Sequence, residues 1–240
     1  MSTPLERATA VNQYDLEDNF WLKVGRSHST LTDFYWEYLK PYSRLWKGKH
    51  ILDVGAGTGW LVDYAVQLGA MRVVGIDPSA RNVAQGKTDH PTIELYQGTL
   101  DTLDFSGARF DILLGIMSFP HIADIDAAFR TLRSLATDRA EIILVVSDFE
   151  YFKTPRHGYD IETQPIDDEQ YAVAITRPND GTIADIVRTT DVYQRAAEQA
   201  GFDLAEERAM TPTENQIARA PKYGAMRAVA ITRLLRFVVR

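Results

Sequence analysis

The stretch HILDVGAGTGWL, residues 50–61, determines the fold class that this sequence predicts. Apolar residues lead to Asp53, alternating glycines follow at Gly55, Gly57 and Gly59, and a helical pattern begins immediately afterwards. A glycine-rich turn between a strand and a helix lets bare backbone approach a ligand at the carboxyl end of the strand. Asp53 can accept hydrogen bonds from an amine or from the water around a ligand. A pyrophosphate would gain nothing from that carboxylate.

The composition fits one α/β domain, alone or with a small cap. The chain has 240 residues, 45% of them hydrophobic, which is enough to bury a sizeable core. Its net charge of −7 argues against a nucleic acid partner. The absence of cysteine excludes disulfides and thiolate metal sites. No signal-peptide pattern and no run of ~18 apolar residues is present, so we expect a cytoplasmic protein without membrane contact.

Short apolar runs alternate with helical patterns between residues 50 and 146, which is typical of a parallel sheet wound with helices. The strands predicted there are Ile51–Val54, Arg72–Ile76, Ile93–Gln97, Phe110–Gly115 and Glu141–Val146. Helices are predicted at Leu61–Leu68, Asp126–Leu135 and Asp191–Gln199. A strand at Phe202–Glu207 and one within Met226–Val239 complete seven, with this final pair antiparallel. The expected fold is α/β, a Rossmann-like doubly wound seven-stranded sheet, mostly parallel with an antiparallel last strand.

Two segments lie outside this pattern, and together they suggest a domain division. Nine aromatic residues fall between Tyr14 and Trp46, which favours an N-terminal helical lid at residues 1–49. A hairpin is predicted between Tyr171–Thr176 and Thr182–Val187, because the intervening Asn-Asp-Gly tolerates positive φ. We therefore expect a single domain made of four parts: the lid (1–49), a ligand-binding core (50–148), a cap insert with the hairpin (149–189), and a C-terminal helix with the last two strands (190–240).

Asp77 ends the second predicted strand, 18 residues after Gly59. A carboxylate at this position can accept hydrogen bonds from both ribose hydroxyls of an adenosine held over the glycine turn. Pro78 would then lie along the adenine. The alternative is that Asp77 only caps the following helix.

The fourth predicted strand reads FDILLGIMSFPHI, residues 110–122. With the glycine turn and Asp77, this segment resembles motifs of the class I S-adenosylmethionine-dependent methyltransferases that act on small molecules. The resemblance covers residues 49–148 well and 188–210 loosely. It implies S-adenosylmethionine as cofactor, S-adenosylhomocysteine as product and no metal. It also implies cofactor contacts from Asp53, Gly55, Ala56 and Gly57, and from Gly115 and Ile116 beside the methionine part.

The loop after the third strand departs from the family pattern. Thr99 stands where these enzymes commonly have aspartate, and Asp101 follows two residues later. The adenine amino group could be met by Thr99, by Asp101 or by backbone, with Leu100 beside it. A loop that simply ends a strand is the alternative.

His121, Tyr14 and Asp148 are the candidate catalytic residues. The imidazole of His121 could accept a proton from the methyl acceptor. Tyr14 resembles a tyrosine that closes over the cofactor in this family, and Asp148 follows the fifth strand. His157 and Tyr159 are further candidate bases. No residue adjacent in sequence orients the imidazole of His121, which favours catalysis by positioning alone.

The acceptor is expected to be a small-molecule metabolite, methylated on N or O, with secondary metabolism as the setting. Sequence motifs for nucleic acid methylation and for a catalytic Mg²⁺ are missing. One alternative is a cofactor-binding sensor or structural subunit without methyl transfer. Another is an NAD-dependent enzyme, which the Gly-x-Gly-x-Gly spacing disfavours because Trp60 stands at the last glycine of the dinucleotide fingerprint. The protein is expected to be a monomer or homodimer.

Overall fold

The computed structural model describes residues 2–10, 22, 29–105, 107–177 and 181–240. Within these residues the strands are β1 (His50–Val54), β2 (Arg72–Asp77), β3 (Glu94–Gln97), β4 (Phe110–Ile116), β5 (Ala136–Ser147), β6 (Asp160–Pro165), β7 (Gln170–Arg177), β8 (Gly181–Arg188), β9 (Phe202–Met210) and β10 (Thr232–Val239). The α-helices are α1 (Pro4–Ala8), α2 (Thr30–Ser43), α3 (Trp60–Gln67), α4 (Ala80–Asp89), α5 (Ile125–Leu135), α6 (Thr190–Gln199) and α7 (Glu214–Arg219). Short 3₁₀ turns occupy Phe119–His121 and Pro221–Met226.

The larger sheet has the strand order β3-β2-β1-β4-β5-β10-β9. Strands β1 to β5 are parallel to their neighbours, and β10 runs antiparallel to both β5 and β9. This confirms the predicted doubly wound seven-stranded sheet. The central strands are apolar runs because helices cover both faces of the sheet, so Leu52, Leu113 and Leu144 are fully buried.

Two details of the sheet differ from the prediction. Strand β5 begins at Ala136, five residues before the predicted start, because Ala136 already pairs with Phe110 ahead of an irregularity in the β4–β5 register. Strands β9 and β10 pair as expected, but residues 211–231 between them contain α7 and a 3₁₀ turn rather than a tight hairpin turn.

The smaller sheet lies between β5 and α6 in sequence and has the order β6-β7-β8, all antiparallel. The predicted hairpin is confirmed as β7 and β8, with Thr176 opposite Thr182. Residues 178–180 of its turn lie outside the described residues. The sequence did not predict β6, because its residues, DIETQP, are polar and largely exposed and carry no clear alternation.

The N-terminal segment contacts both sheets. Helix α1 packs on the smaller sheet, where Ala8 is buried against Ala174, Ala184 and Ile186. Helix α2 packs on the larger sheet, and its aromatic residues belong to the same core cluster as β1 and β4. No described helix is both long and apolar enough to cross a membrane.

Candidate active site

A cavity of about 550 Å³ opens at the carboxyl ends of β1, β2 and β4, where open α/β sheets bind their ligands. Its wall also includes the end of α1, part of α2, the loop after β3 and the first turns of α5. The volume lies in the ordinary range for small-molecule sites. Of the predicted cofactor residues, eight line the cavity: Gly55, Ala56, Gly57, Asp77, Pro78, Thr99, Leu100 and Ile116.

The glycine turn is tied to β2 by backbone hydrogen bonds. The N–H groups of Gly55 and Ala56 both donate to the carbonyl of Ile76, at 2.8 and 2.9 Å. A Cβ on Gly55 would overlap the Ser118 side chain, and the φ of Gly55, +73°, lies in the left-handed region. Gly55 therefore allows the loop after β4 to approach the turn closely.

Asp77 lines the cavity and also accepts hydrogen bonds from the residues that begin the following helix. Its Oδ2 accepts a hydrogen bond from the N–H of Gly57 at 2.8 Å, and its Oδ1 accepts from the N–H of Ser79 and from Asn82 Nδ2. These bonds join the glycine turn to the start of α4. Three of the roughly four acceptor positions of the carboxylate are occupied, so about one remains for a ligand in the cavity.

Asp53 is buried in the centre of the sheet and does not line the cavity. Burial, reinforced by the nearby carboxyl of Asp77, raises the pKa of Asp53 to about 7. Burial also raises the pKa of Asp77, although its hydrogen bonds oppose the shift. A cationic ligand would favour the ionised form of both groups.

Thr99, Leu100 and Asp101 in the loop after β3 all line the cavity, so the alternatives for the adenine amino group stay open. The hydroxyl of Thr99 donates to the carboxylate of Asp101, and the Thr99 N–H donates to Thr102 Oγ1 at 2.8 Å. A carboxylate is a stronger acceptor than a hydroxyl and has positions left beside the one that Thr99 occupies, so Asp101 is the better acceptor for an amino group.

The segment after β4 is strained. Met117 has a φ of +59° and is buried in the cavity wall, which is uncommon for a residue with a side chain. Ser118 Oγ follows it and is buried without a hydrogen-bond partner among the described residues. Gly115 does not line the cavity; a Cβ there would lie 2.8 Å from the Phe119 ring, so this glycine makes room for the 3₁₀ turn.

His121 lies on that 3₁₀ turn and lines the cavity. Its Nδ1 lies 3.2 Å from the carbonyl oxygen of Ala184 and 3.5 Å from Oδ1 of Asp185, both on β8. The imidazole is therefore oriented by groups that lie 63 and 64 residues away in sequence.

The other candidate bases are placed elsewhere. Asp148 is buried outside the cavity wall, where its Oδ2 lies 2.8 Å from Arg233 Nε and its Oδ1 accepts from the N–H groups of Glu150 and Tyr151. His157 and Tyr159 line a separate surface groove. Tyr14 lies outside the described residues.

Sequence reasoning missed two residues of β8. Asp185 contacts His121, and the buried Arg188 donates to the carbonyls of Phe119, Ile122 and Ala123 around it. The only local indication was an aspartate and an arginine within an otherwise apolar strand, GTIADIVR.

The charge of the cavity wall distinguishes between a cationic ligand and a pyrophosphate. Its described wall carries the carboxylates of Asp77, Asp101 and Asp124 and contains neither lysine nor arginine. Such a wall suits a cation and disfavours a pyrophosphate. Residues 51–139 also match the family model described as a methyltransferase domain.

Residues 51–139 thus form a methyltransferase domain, similar to those of the class I S-adenosylmethionine-dependent enzymes. The chain is 34% identical over 105 residues to a ubiquinone biosynthesis O-methyltransferase of Azorhizobium caulinodans, covering 42% of this chain and 40% of that protein. Over 127 residues it is 32% identical to a protein of the same name from Chelativorans sp., covering 51% and 45%. The chain thus aligns with less than half the length of these curated relatives.

The fold likeness extends further than the sequence likeness. The structure of an S-adenosylmethionine-dependent methyltransferase from Mesorhizobium loti superposes with a TM-score of 0.70, covering 88% of this chain and all of that one at 22% identity. The sulfonium cofactor of the methyltransferase family fits the residues present. The acidic wall, the bare glycine turn and the unpartnered Ser118 Oγ each offer it a matching surface. Within the described residues, no group of three potential ligands could hold a metal.

Proposed function

We propose that this methyltransferase transfers a methyl group to a hydroxyl oxygen of a small-molecule metabolite. The observation that carries the proposal is an oriented histidine beside a cavity wall whose described residues include three aspartates and neither lysine nor arginine. The acidic wall supports a cationic cofactor over NAD, and the histidine supports an acceptor that must lose a proton.

The cofactor half of the cavity is formed by the carboxyl ends of β1 to β3. In this proposal Asp77 accepts a hydrogen bond from the ribose, Pro78 and Leu100 flank the adenine, and Asp101 accepts from its amino group. The glycine turn and Ile116 surround the methionine part. Asp53 lies behind the turn without direct contact, where a bound cation favours its ionised form and is stabilised by the resulting charge.

The acceptor half is formed by Tyr35, Ser118 and His121. S-adenosylmethionine, when bound, supplies an electrophilic methyl group. His121 Nε2 would accept the proton of the acceptor hydroxyl as the acceptor oxygen bonds to the methyl carbon. The bond from that carbon to sulfur would break at the same time, leaving S-adenosylhomocysteine. Burial, with Tyr223 and Asp185 nearby, raises the pKa of Tyr35, so its hydroxyl stays protonated and serves as a hydrogen-bond donor rather than a base.

Two features favour oxygen as the methylated atom. His121 provides a base, which a hydroxyl needs and an uncharged amine does not. The curated relatives are named as O-methyltransferases of ubiquinone biosynthesis. These names point to ubiquinone biosynthesis and do not support the expectation of secondary metabolism.

The cofactor is tested by calorimetry with S-adenosylhomocysteine, S-adenosylmethionine and NAD. We expect binding of the first two and none of the third. Asp77→Ala should weaken cofactor binding by about 1–3 kcal/mol because a polar ligand group loses its partner. Unchanged affinity in Asp77→Ala would leave Asp77 as a purely structural residue at the start of α4.

The acceptor is tested with S-adenosylmethionine carrying a deuterated methyl group. The protein is incubated with a metabolite extract and, separately, with panels of phenols, alcohols and amines, and products are identified by mass spectrometry. Labelled methyl ethers support the proposal. Labelled amines alone would contradict it, and cofactor binding without any labelled product would favour the sensor alternative.

The base is tested by His121→Ala, with His90→Ala as the matched control. His90 pairs with Asp63 away from the cavity. We expect His121→Ala to slow methyl transfer by roughly 10²-fold with unchanged cofactor affinity. A loss no larger than that of His90→Ala would indicate catalysis by positioning alone.

A further inference from the structure

Asp185 is an unusual residue for its position. It lies in the middle of β8 and is 1% exposed, between Ala184 and Ile186, which are also buried. Its Oδ2 accepts a hydrogen bond from Ser147 Oγ at 3.0 Å. Its Oδ1 has no hydrogen-bond donor among the described residues and lies 3.5 Å from His121 Nδ1.

A buried carboxylate oxygen without a donor opposes folding, because it has lost its water and gained nothing in return. An apolar side chain would suit the interior of β8 better, as it does at the neighbouring positions. The carboxylate therefore has a use that is not the stability of the strand. Its unsatisfied oxygen faces one group that can gain a proton during the proposed reaction, the imidazole of His121.

We infer that Asp185 is a positioning residue that holds His121 in the protonation state and orientation needed by a general base. This inference rests on the proposed function. Both groups near Nδ1, the Ala184 carbonyl and the Asp185 carboxylate, are acceptors, so the imidazole proton lies on Nδ1. The lone pair is then on Nε2, where it can receive the proton of an acceptor hydroxyl.

The carboxylate also has a part in the proton transfer itself. The acceptor O–H bond would break as the oxygen bonds to the methyl carbon, and the bond from that carbon to sulfur would break with its electron pair left on S-adenosylhomocysteine. The proton would move to Nε2, and the ring would become an imidazolium. The new positive charge then lies beside Asp185, which stabilises it without taking the proton. Ser147 holds the other carboxylate oxygen and so fixes the direction in which Oδ1 points.

Other charged and titratable groups near His121 are engaged differently. Asp77 faces it from β2, but its oxygens accept from Gly57, Ser79 and Asn82. Arg188, on the same strand as Asp185, donates to the carbonyls of the 3₁₀ turn and the residues after it. Strand β8 thus holds the segment after β4 in two ways. Arg188 fixes the backbone of that segment, and Asp185 orients the ring of His121.

The test compares Asp185→Asn with Asp160→Asn, an exposed aspartate on β6 of the same sheet. Nitrogen-15 NMR of the protein saturated with S-adenosylhomocysteine reports which ring nitrogen of each histidine carries the proton, and the His121→Ala spectrum assigns the signal among the five histidines. We expect a single Nδ1–H form for His121 in the wild type and in Asp160→Asn. In Asp185→Asn we expect a mixture of forms.

The kinetic arm uses an acceptor found in the labelled-methyl screen. Asp185→Asn should lower kcat by at least about tenfold and leave the KM for S-adenosylmethionine within about twofold. Asp185→Glu, which restores the charge, should recover part of kcat. A folded Asp185→Asn with the wild-type proton position and wild-type kcat would overturn the inference.

The experiment still gives a result if Asp185→Asn fails to fold or if no acceptor is found. If Asp185→Asn fails to fold, Ser147→Ala replaces it, because that variant keeps the carboxylate but frees its direction; an unchanged NMR signal and kcat there would also overturn the inference. If the screen yields no acceptor, the proposed function fails, while the NMR arm still decides whether Asp185 controls the proton position of His121.

Discussion

The glycine turn and strand β8 both position functional groups, but they do so over very different sequence distances. Asp77 holds Ser79, Asn82 and Gly57 across separations of 2, 5 and 20 residues. Strand β8 holds the His121 loop across separations of 63 to 69 residues. The proposed cofactor site is therefore built from local motifs, whereas the proposed base depends on an insert that is distant in sequence.

The largest effect should come from Arg188→Met, which removes the attachment of the loop to the insert. Arg188 is 3% exposed, and its loss leaves the carbonyls of Phe119, Ile122 and Ala123 without this donor. We expect the free energy of unfolding to fall by at least about 3 kcal/mol, measured by urea denaturation.

The matched control is Arg195→Met, because Arg195 pairs with Glu169 on the surface and exposed pairs contribute about 1 kcal/mol or less. An equal fall in the free energy of unfolding in the two variants would show that the insert does not hold the loop after β4. The contrast between the glycine turn and β8 would then be wrong.

The next largest effect should come from Gly55→Ala, within the local motif. The added Cβ overlaps the Ser118 side chain, and the alanine would have to adopt a left-handed φ. We expect calorimetry to show a roughly 10²-fold weaker affinity for S-adenosylhomocysteine, since the turn must move away from its position.

Gly48→Ala is the control for the backbone cost alone. Gly48 has nearly the same φ, +74°, but a Cβ there meets nothing within 4 Å. This variant should lose about 1 kcal/mol of stability and keep its cofactor affinity. A similar affinity in both variants would mean that close approach at Gly55 has no role in the site.

The same contrast explains what the sequence could predict. The strands of the larger sheet, the glycine turn and Asp77 follow from short apolar runs and from residues that act on near neighbours. Asp185 and Arg188 could not be assigned in this way, because their partners are brought together only by the docking of β8 beside the loop after β4. Strand β6 was missed for another reason: its polar, exposed sequence carries no hydrophobic pattern.

A smaller effect is expected from Asp53→Asn, and it depends on pH. Burial raises the pKa of Asp53 from 3.8 to about 7, so the folded chain keeps a proton that the unfolded chain has lost. The free energy of unfolding should therefore fall as pH rises from about 4 to about 7, by about 2 kcal/mol between pH 5 and pH 7.

Asp53→Asn should remove this loss, so that its stability changes less between pH 5 and pH 7 than that of the wild type. Urea denaturation at both pH values measures the difference, and Asp138→Asn, at an exposed position, serves as the control. Identical pH dependence in all three proteins would show that Asp53 is ionised throughout and that the carboxyls behind the turn do not interact.

The smallest effect concerns α2, which the sequence assigned to a lid. The Tyr38 hydroxyl donates to the carbonyl of Thr211 and accepts from its N–H, both at 2.9 Å, which attaches α2 to the segment after β9. Tyr38→Phe should cost about 1 kcal/mol and lower Tm by about 2–4 °C. Because Tyr38 does not line the cavity, cofactor affinity should stay unchanged.

Tyr96→Phe is the control, since that side chain is 45% exposed. If Tyr38→Phe instead weakens cofactor binding while Tm holds, α2 moves with the ligand as a lid does; if only Tm falls, α2 is part of the core, and any lid lies nearer the N-terminus.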